Sequence, residues 1–243
     1  MIIGISGKLG SGKDTVGEII QYLTGVDANG KFSKGLNWSY SSNFEIKKFA
    51  GKLKAIGSLL TGVPVEYFED QEFKKTDLPN EWVYVENGYA AKNMTVREFL
   101  QKLGTDAMRD GLHKNVWINA LYADYKEELD PYHFKSHINE STLKYPNWIL
   151  TDMRFANELD SVKERDGITI RVNRTTFRTT ETEFGKVDIV NQPEVDERLF
   201  NIAEHPSETA LDDAEFDYTI NNNGTLQDLV ESVRRILLNE KII

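Results

Sequence analysis

Three absences bound this chain before any motif is read. Its 243 residues contain no cysteine, which excludes disulfide frameworks, thiolate nucleophiles and cysteine-ligated zinc. No apolar run approaches the roughly 20 residues of a membrane-spanning helix. Met1 leads straight into IIGIS rather than into the basic-then-apolar pattern of an export signal, so a cytoplasmic protein with no membrane partner is expected. Positive charge is also short: 29 Lys and Arg against 39 Asp and Glu leave a net charge of −10 at pH 7. Sequence-independent nucleic-acid binding relies on Lys and Arg neutralising backbone phosphates, so no nucleic-acid partner is expected. A small phosphorylated ligand stays compatible with the charge where basic residues gather locally.

The residues that are present read as one α/β domain over residues 1–243. Apolar residues make up 40% and charged residues 28%, ordinary values for a globular chain. Residues 2–6 form a short β-branched strand, and helical spacing of Val16, Ile19, Ile20 and Leu23 comes next. Residues 27–42 read as a loop, 44–49 as a strand and 52–60 as a helix. Residues 76–93 suggest a small hairpin. Thr95, with Glu98 three positions on, predicts a capped amphipathic helix over 95–110; another helix is expected over 116–129. NWILTD reads as a central strand, succeeded by a helix over 156–165 and a strand over 168–172, a βαβ unit. Residues 175–213 carry no sustained period and look like an excursion from the sheet. A strand over 217–220, the turn NNNGT and a helix over 226–238 close the chain.

The first strand runs into Gly7-Lys8-Leu9-Gly10-Ser11-Gly12-Lys13, which fits G-x-x-x-x-G-K. Such a loop aims backbone N–H groups at phosphate oxygens, its lysine reaches the β and γ phosphates, and the helix after it adds its positive end. The next position usually carries a hydroxyl that ligates Mg²⁺; here it is Asp14. A carboxylate is also a legitimate hard ligand for that metal. Three readings stay open: a magnesium ligand, a base beside an acceptor phosphate, or an acid favoured by the helix dipole. Thr15 can offer a hydroxyl to an inner phosphate.

A second cluster, TDMRFANE at 151–158, starts at a predicted strand end, where ligands of open α/β sheets bind. Arg154 suits a bidentate phosphate clamp. The alternative is a structural ion pair of Asp152 with Arg154 and a solvated Glu158. Trp117 reads by spacing as core packing with Ala120 and Leu121. Arg97 and Arg109 could face a phosphate, Arg109 the better placed. Lys52 and Lys54 are undecided between substrate support and solvent. His205 with Glu208 makes a weak metal signal, and His113, His133 and His137 form no ligand pattern.

Taken together, these blocks resemble the phage deoxynucleoside monophosphate kinases, a P-loop kinase family. The resemblance rests on GSGKDT at 10–15, FAGKLKAIGSLLTGVPVEYFEDQEFK at 49–74, REFLQKLGTDAMRDGLHKNVWINAL at 97–121, LTDMRFANE at 150–158, HPSE at 205–208 and DYTINNNGTLQDL at 217–229. An aspartate after the loop lysine is a habit of that family. The resemblance implies that Gly10, Ser11, Gly12, Lys13, Asp14 and Thr15 hold the donor nucleotide, with Arg174 at the mouth of the cleft. It implies Lys75, Gly104, Thr105, Arg109 and Trp117 on the acceptor side, and Asp152, Arg154 and Glu158 as the DxR motif and its trailing glutamate. Lys13, Asp14, Asp152 and Arg154 would serve catalysis, with Asp14 as the metal ligand.

The fold that the resemblance implies is a P-loop NTPase-type three-layer α/β/α parallel sheet, with an acceptor-binding insertion at about 50–130 and a lid-like excursion at about 175–213. The reaction implied is transfer of the γ-phosphoryl of ATP to a deoxynucleoside 5′-monophosphate with Mg²⁺, by a homodimer, in the host cytoplasm if the chain is phage-encoded. Two departures stand out: relatives can carry basic residues in mid-loop, where this chain has Leu9 and Gly10, and Lys75 stands where an arginine is also used. The alternatives are a phosphomevalonate or dephospho-coenzyme A type of kinase, or an ATP-hydrolysing switch protein.

Overall fold

A computed structural model describes residues 1–25, 32–33, 42–83, 85–86, 89–90, 93–129, 143–175, 177–182, 185–190 and 209–243. HPSE at 205–208, His133 and His137, most of 27–42 and much of 175–213 lie outside the described residues. The chain divides into two compact units, Met1–Lys48 with Lys126–Ile243, and Phe49–Tyr125.

The first unit opens with β1 (Ile2–Ser6), α1 (Lys13–Thr24) and β2 (Phe44–Lys47). The second holds α2 (Gly51–Thr61), a hairpin of β3 (Val85–Glu86) and β4 (Tyr89–Ala90), α3 (Val96–Gln101) and α4 (Val116–Tyr122). The chain then returns to the first unit with β5 (Glu128–Leu129), β6 (Leu143–Lys144), β7 (Asn147–Met153), α5 (Ala156–Lys163) and β8 (Ile168–Asn173). After β9 (Phe177–Thr182) and β10 (Gly185–Val190), it ends in β11 (Tyr218–Asn221) and α6 (Leu226–Asn239).

The main sheet has the order β11-β8-β1-β7-β2 with every pairing parallel. The alternation of β1 explains its two faces. Ile3 and Ile5 point into a core with Val16, Ile19 and Ile20 of α1 and Val233, Ile236 and Leu237 of α6. Each of those isoleucines contributes about 1.5–3 kcal/mol by leaving water. Gly4 faces the other way, where a β-carbon would come 3.1 Å from Val162 of α5 and 3.2 Å from the Met153 sulfur; the missing side chain lets α5 sit close. Helices on both faces make the three-layer α/β/α sheet that the sequence led us to expect. Thr225 caps α6 through the Asp228 N–H, and Asp228 accepts in return from the Thr225 N–H.

The second unit has its own core of Phe68, Leu78, Val96, Phe99 and Leu100. The Thr95–Glu98 capping box starts α3 as the sequence indicates. The expected single helix over 95–110 nevertheless changes character: Lys102–Asp110 is π-helical, with the Gly111 N–H reaching back to the Asp106 carbonyl at 3.0 Å. The widening falls at Gly104, whose β-carbon would meet Leu53 Cδ2 of α2 at 2.8 Å and whose carbonyl accepts the Trp117 indole N–H at 2.9 Å. The helix expected over 116–129 stops at Tyr122. Its end tightens into three-residue bonds, Asp124 N–H to Leu121 and Tyr125 N–H to Tyr122, and Glu128–Leu129 pairs as a strand with Leu143–Lys144. The excursion from the sheet contains an antiparallel hairpin of its own, β9 with β10, outside the main sheet.

One contact sets how near α1 lies to the sheet. A β-carbon on Gly17 would come 2.7 Å from Thr151 Cγ2, a fully buried side chain of β7. Alanine gains about 1 kcal/mol over glycine in a helix interior, whereas overpacking a closed contact costs about 1–3 kcal/mol. Gly17→Ala will therefore lower the melting temperature by roughly 2–4 °C, as read by calorimetry. A raised melting temperature would show that α1 has room to spare at this point.

Candidate active site

In a sheet whose strands all run parallel, the carboxyl ends share one edge, and ligands bind in the crevice there. Along that edge this chain places, in strand order, Asn222 after β11, Arg174 after β8, the glycine loop after β1, Thr151 to Arg154 at the end of β7, and Lys48 after β2. The chain order reverses direction across the β1–β8 pair, directly under the loop.

The loop holds its shape through close contacts. A β-carbon on Gly7 would lie 2.4 Å from the Val172 carbonyl oxygen. Gly12, at φ 99°, is the N-cap of α1 in the left-handed region, where a side chain is strained. The Ser11 N–H closes a turn onto the Lys8 carbonyl at 3.1 Å, and Lys13 is folded inward, 8% exposed, with its ammonium on the same carbonyl at 3.1 Å. The Ser11 hydroxyl is buried without a hydrogen-bond partner. An orphaned hydroxyl, an ammonium spent on a loop carbonyl and the first-turn N–H groups of α1 are the donor set that a polyphosphate would engage. The residues fit that ligand.

Asp14 stands at the loop's exit and its carboxylate is anchored on one oxygen. The Thr151 hydroxyl donates to Oδ1 at 2.8 Å and the Lys48 ammonium lies 3.4 Å from the same atom. Partial withdrawal from water raises its pKa, but the Lys48 charge, the Thr151 hydrogen bond and the Lys13 charge outweigh that, holding the carboxyl below the usual aspartate range. An ionised carboxylate is chemically suited to hold magnesium. Among the described residues no group of three or more His, Asp or Glu gathers as a metal site. A cation held by one carboxylate together with substrate phosphates needs no such group.

Behind the loop, Arg171 of β8 is nearly enclosed. Its guanidinium donates to Ser6 Oγ at 3.1 Å and to Asp212 Oδ1 at 2.8 Å, and sits 5.7 Å from the Phe216 ring centre. Lys8 of the loop pairs with Asp212 Oδ2 at 2.9 Å. Asp212 thus bridges two cations beside a cavity of about 600 Å³ that Asn173 and Thr219 also line.

Glu158, expected on the ligand side, is turned inward at 2% exposed and accepts the N–H groups of Arg154 at 2.7 Å and Phe155 at 3.1 Å. It fixes the turn from which Asp152 and Arg154 emerge, both half-buried. Arg174 is exposed just past β8, and the adjacent Thr175 N–H is held by Asn223 Oδ1 at 2.7 Å.

Within the second unit, the indole bond to the Gly104 carbonyl brings Gly104 and Trp117 together, so Trp117, 5% exposed, is committed to the core. Thr105 and Arg109 are half-buried on the π-helical segment. Lys75 is exposed and pairs with Glu72 at 2.8 Å. Lys52 pairs with Asp124 and Lys54 with Glu69, each at 2.6 Å, Lys54 being buried. The His113 ring accepts the Asn115 N–H, a local turn contact. Lys48, Thr151 as a side chain, Arg171, Asp212 and Asn222 were not singled out in the sequence. For Asn222 a signal existed: three amides at a strand end flanking the loop exceed what a turn needs.

Comparison with known proteins bears on the rest of the chain. The family profile described as deoxynucleotide monophosphate kinase matches residues 61–233, a span that begins beyond the glycine loop. A protein of Acanthamoeba polyphaga mimivirus that carries a provisional deoxynucleotide monophosphate kinase name is 28% identical over 199 residues, 78% of this chain and 82% of that protein.

The inward Glu158 gives a direct test. Glu158→Ala strands two backbone donors and will cost about 1–3 kcal/mol, read as a lower urea midpoint. Glu158→Gln keeps an acceptor oxygen and will recover most of it; equal losses for both would mean that the charge, not the cap, is what matters.

Proposed function

Because this chain belongs to the deoxynucleotide monophosphate kinase family, we propose that it moves the γ-phosphoryl group of ATP onto a deoxynucleoside 5′-monophosphate, yielding ADP and the deoxynucleoside diphosphate. An oxygen of the acceptor phosphate forms the new P–O bond as the bond from γ-phosphorus to the ADP oxygen breaks. The observation that carries the reading is the glycine loop at the carboxyl edge of β1, with Lys13 folded into it and an ionised Asp14 at its exit. This loop lies outside the span that the family profile matches, so the two supports are independent.

Phosphoryl transfer asks little covalent work of a protein; it needs in-line placement and neutralised charge on the phosphate oxygens. The loop N–H groups and Lys13 supply donors for the donor phosphates, with Thr15 adding a hydroxyl. Asp14 would hold Mg²⁺, which supplies further neutralisation across those phosphates. Thr151 and Lys48 orient the carboxylate on Oδ1. Arg154, on a turn fixed by Glu158, is assigned to phosphate charge, Asp152 to its orientation and Arg174 to the donor's outer part. The acceptor is assigned to Thr105, Arg109 and Lys75. No described helix is long and apolar enough to cross a membrane, and we place the reaction in the cytoplasm.

Purified protein given Mg·ATP and a panel of deoxynucleoside monophosphates will form ADP only when a suitable acceptor is present. Acceptor-independent ADP formation would instead mark a hydrolase. Lys13→Ala will lower kcat by about 10²–10³-fold, the range for losing one preorganised donor to transition-state charge. Asp14→Ser will keep far more activity than Asp14→Ala, since a hydroxyl can also hold magnesium; equal loss in both would remove the metal role from Asp14.

A further inference from the structure

We infer that Asn222, in the connection between β11 and α6, is a positioning residue that sets the direction of the Gly12 N–H in the phosphate loop. Asn222 is anchored from one side and reaches from the other. Its backbone N–H donates to the Asn173 carbonyl at 2.7 Å, which ties it to the end of β8. Its side-chain amide donates to the Ser11 carbonyl at 2.8 Å.

Peptide geometry turns that bond into a constraint on the loop. The Ser11–Gly12 peptide is planar and trans, so its C=O and N–H point in opposite directions. Holding the Ser11 carbonyl toward Asn222 therefore turns the Gly12 N–H away from Asn222. Without that bond this peptide could rotate, because Gly12 tolerates both signs of φ. The two residues are matched sterically as well: a β-carbon on Gly12 would lie 2.5 Å from Asn222 Nδ2. The glycine is needed for the amide to reach the loop, and the amide restrains the freedom that the glycine brings. The loop's own bonds leave this carbonyl alone: the Ser11 N–H and the Lys13 ammonium both go to Lys8, and the Gly12 carbonyl accepts from Val16.

The inference rests on the reading of the loop as the donor-nucleotide site, and it deepens that reading. It predicts that Asn222 acts on donor binding and not on acceptor binding. Asn222→Ala will raise the Kd for Mg·ADP, measured by calorimetry, and the KM for ATP by about five- to tenfold, the equivalent of one hydrogen bond. The KM for the deoxynucleoside monophosphate will stay within about twofold. Asn222→Asp keeps the shape and the backbone bond to Asn173 but points a carboxylate oxygen at the Ser11 carbonyl, and will weaken Mg·ADP more than alanine does.

Thr225→Ala is the stability control. It removes the cap of α6 in the same connection without touching the loop, and will lower the melting temperature while leaving Mg·ADP affinity unchanged. An Mg·ADP affinity for Asn222→Ala and Asn222→Asp equal to that of the native chain overturns the inference and leaves the kinase reading standing. Equal weakening in Thr225→Ala also overturns it, since the effect would then be general loosening. A native chain that binds no Mg·ADP overturns both.

Discussion

Three glycines spaced five apart leave no room for a side chain, and the site depends on that. Gly7 lies against the Val172 carbonyl of β8, Gly12 against the Asn222 amide beyond β11, and Gly17 against the Thr151 methyl of β7. Each is a contact between the β1–loop–α1 segment and a different neighbour in the sheet. A β-carbon at any of them would sit closer than atoms normally approach, so the loop is clamped from both flanks and from beneath. Backbone N–H groups bind phosphate well only when their directions are set beforehand, and here the packing against β7, β8 and the connection after β11 adds to the loop's own Ser11-to-Lys8 turn.

The same clamping organises the charges. Because α1 sits close at Gly17, Asp14, one turn earlier, reaches the Thr151 hydroxyl, and the Lys48 ammonium closes on the same oxygen. Those two contacts keep the carboxylate ionised despite its partial desolvation. A carboxylate beside a polyphosphate would be repulsive if left alone; Lys48 and Lys13 nearby offset its charge. On the opposite flank Asp212 plays the reverse part, balancing Lys8 and Arg171. An acidic protein thus gathers cations locally around single anions, Lys48 and Lys13 about Asp14 and Lys8 and Arg171 about Asp212.

How legible the fold and site were in the sequence depended on range. The five sheet strands were readable from short β-branched runs, the loop from its glycine spacing, and the cap at Thr95 from local chemistry, because each signal lies within a few residues of what it specifies. The helix over 95–110 was readable as an apolar stripe, but its π-helical second half was not: it reflects Leu53 and Trp117 meeting Gly104 from elsewhere in the chain. Glu158 looked like a ligand-side residue because periodicity cannot say that two backbone N–H groups wait at its inner face. Lys48, Arg171 and Asp212 escaped for the same reason. Their partners are 34, 165 and 41 positions away, and no local pattern carries that information.

A glycine loop identifies a phosphate, and many unrelated chemistries share it; the discriminating part of the chain is the span from residue 61 onward that the family profile matches. Within that span, residues that looked like substrate contacts are in part structural: Trp117 and Gly104 bond to each other, and Glu158 caps a turn. Shared identity at such positions signals a shared scaffold before it signals a shared substrate. The scaffold leaves other side chains partly exposed, Thr105 and Arg109 on the widened turn among them. A π-helical segment re-aims the side chains around it through its extra residue per turn, while the capped start of α3 and the Trp117 bond to Gly104 both fix its amino-terminal side.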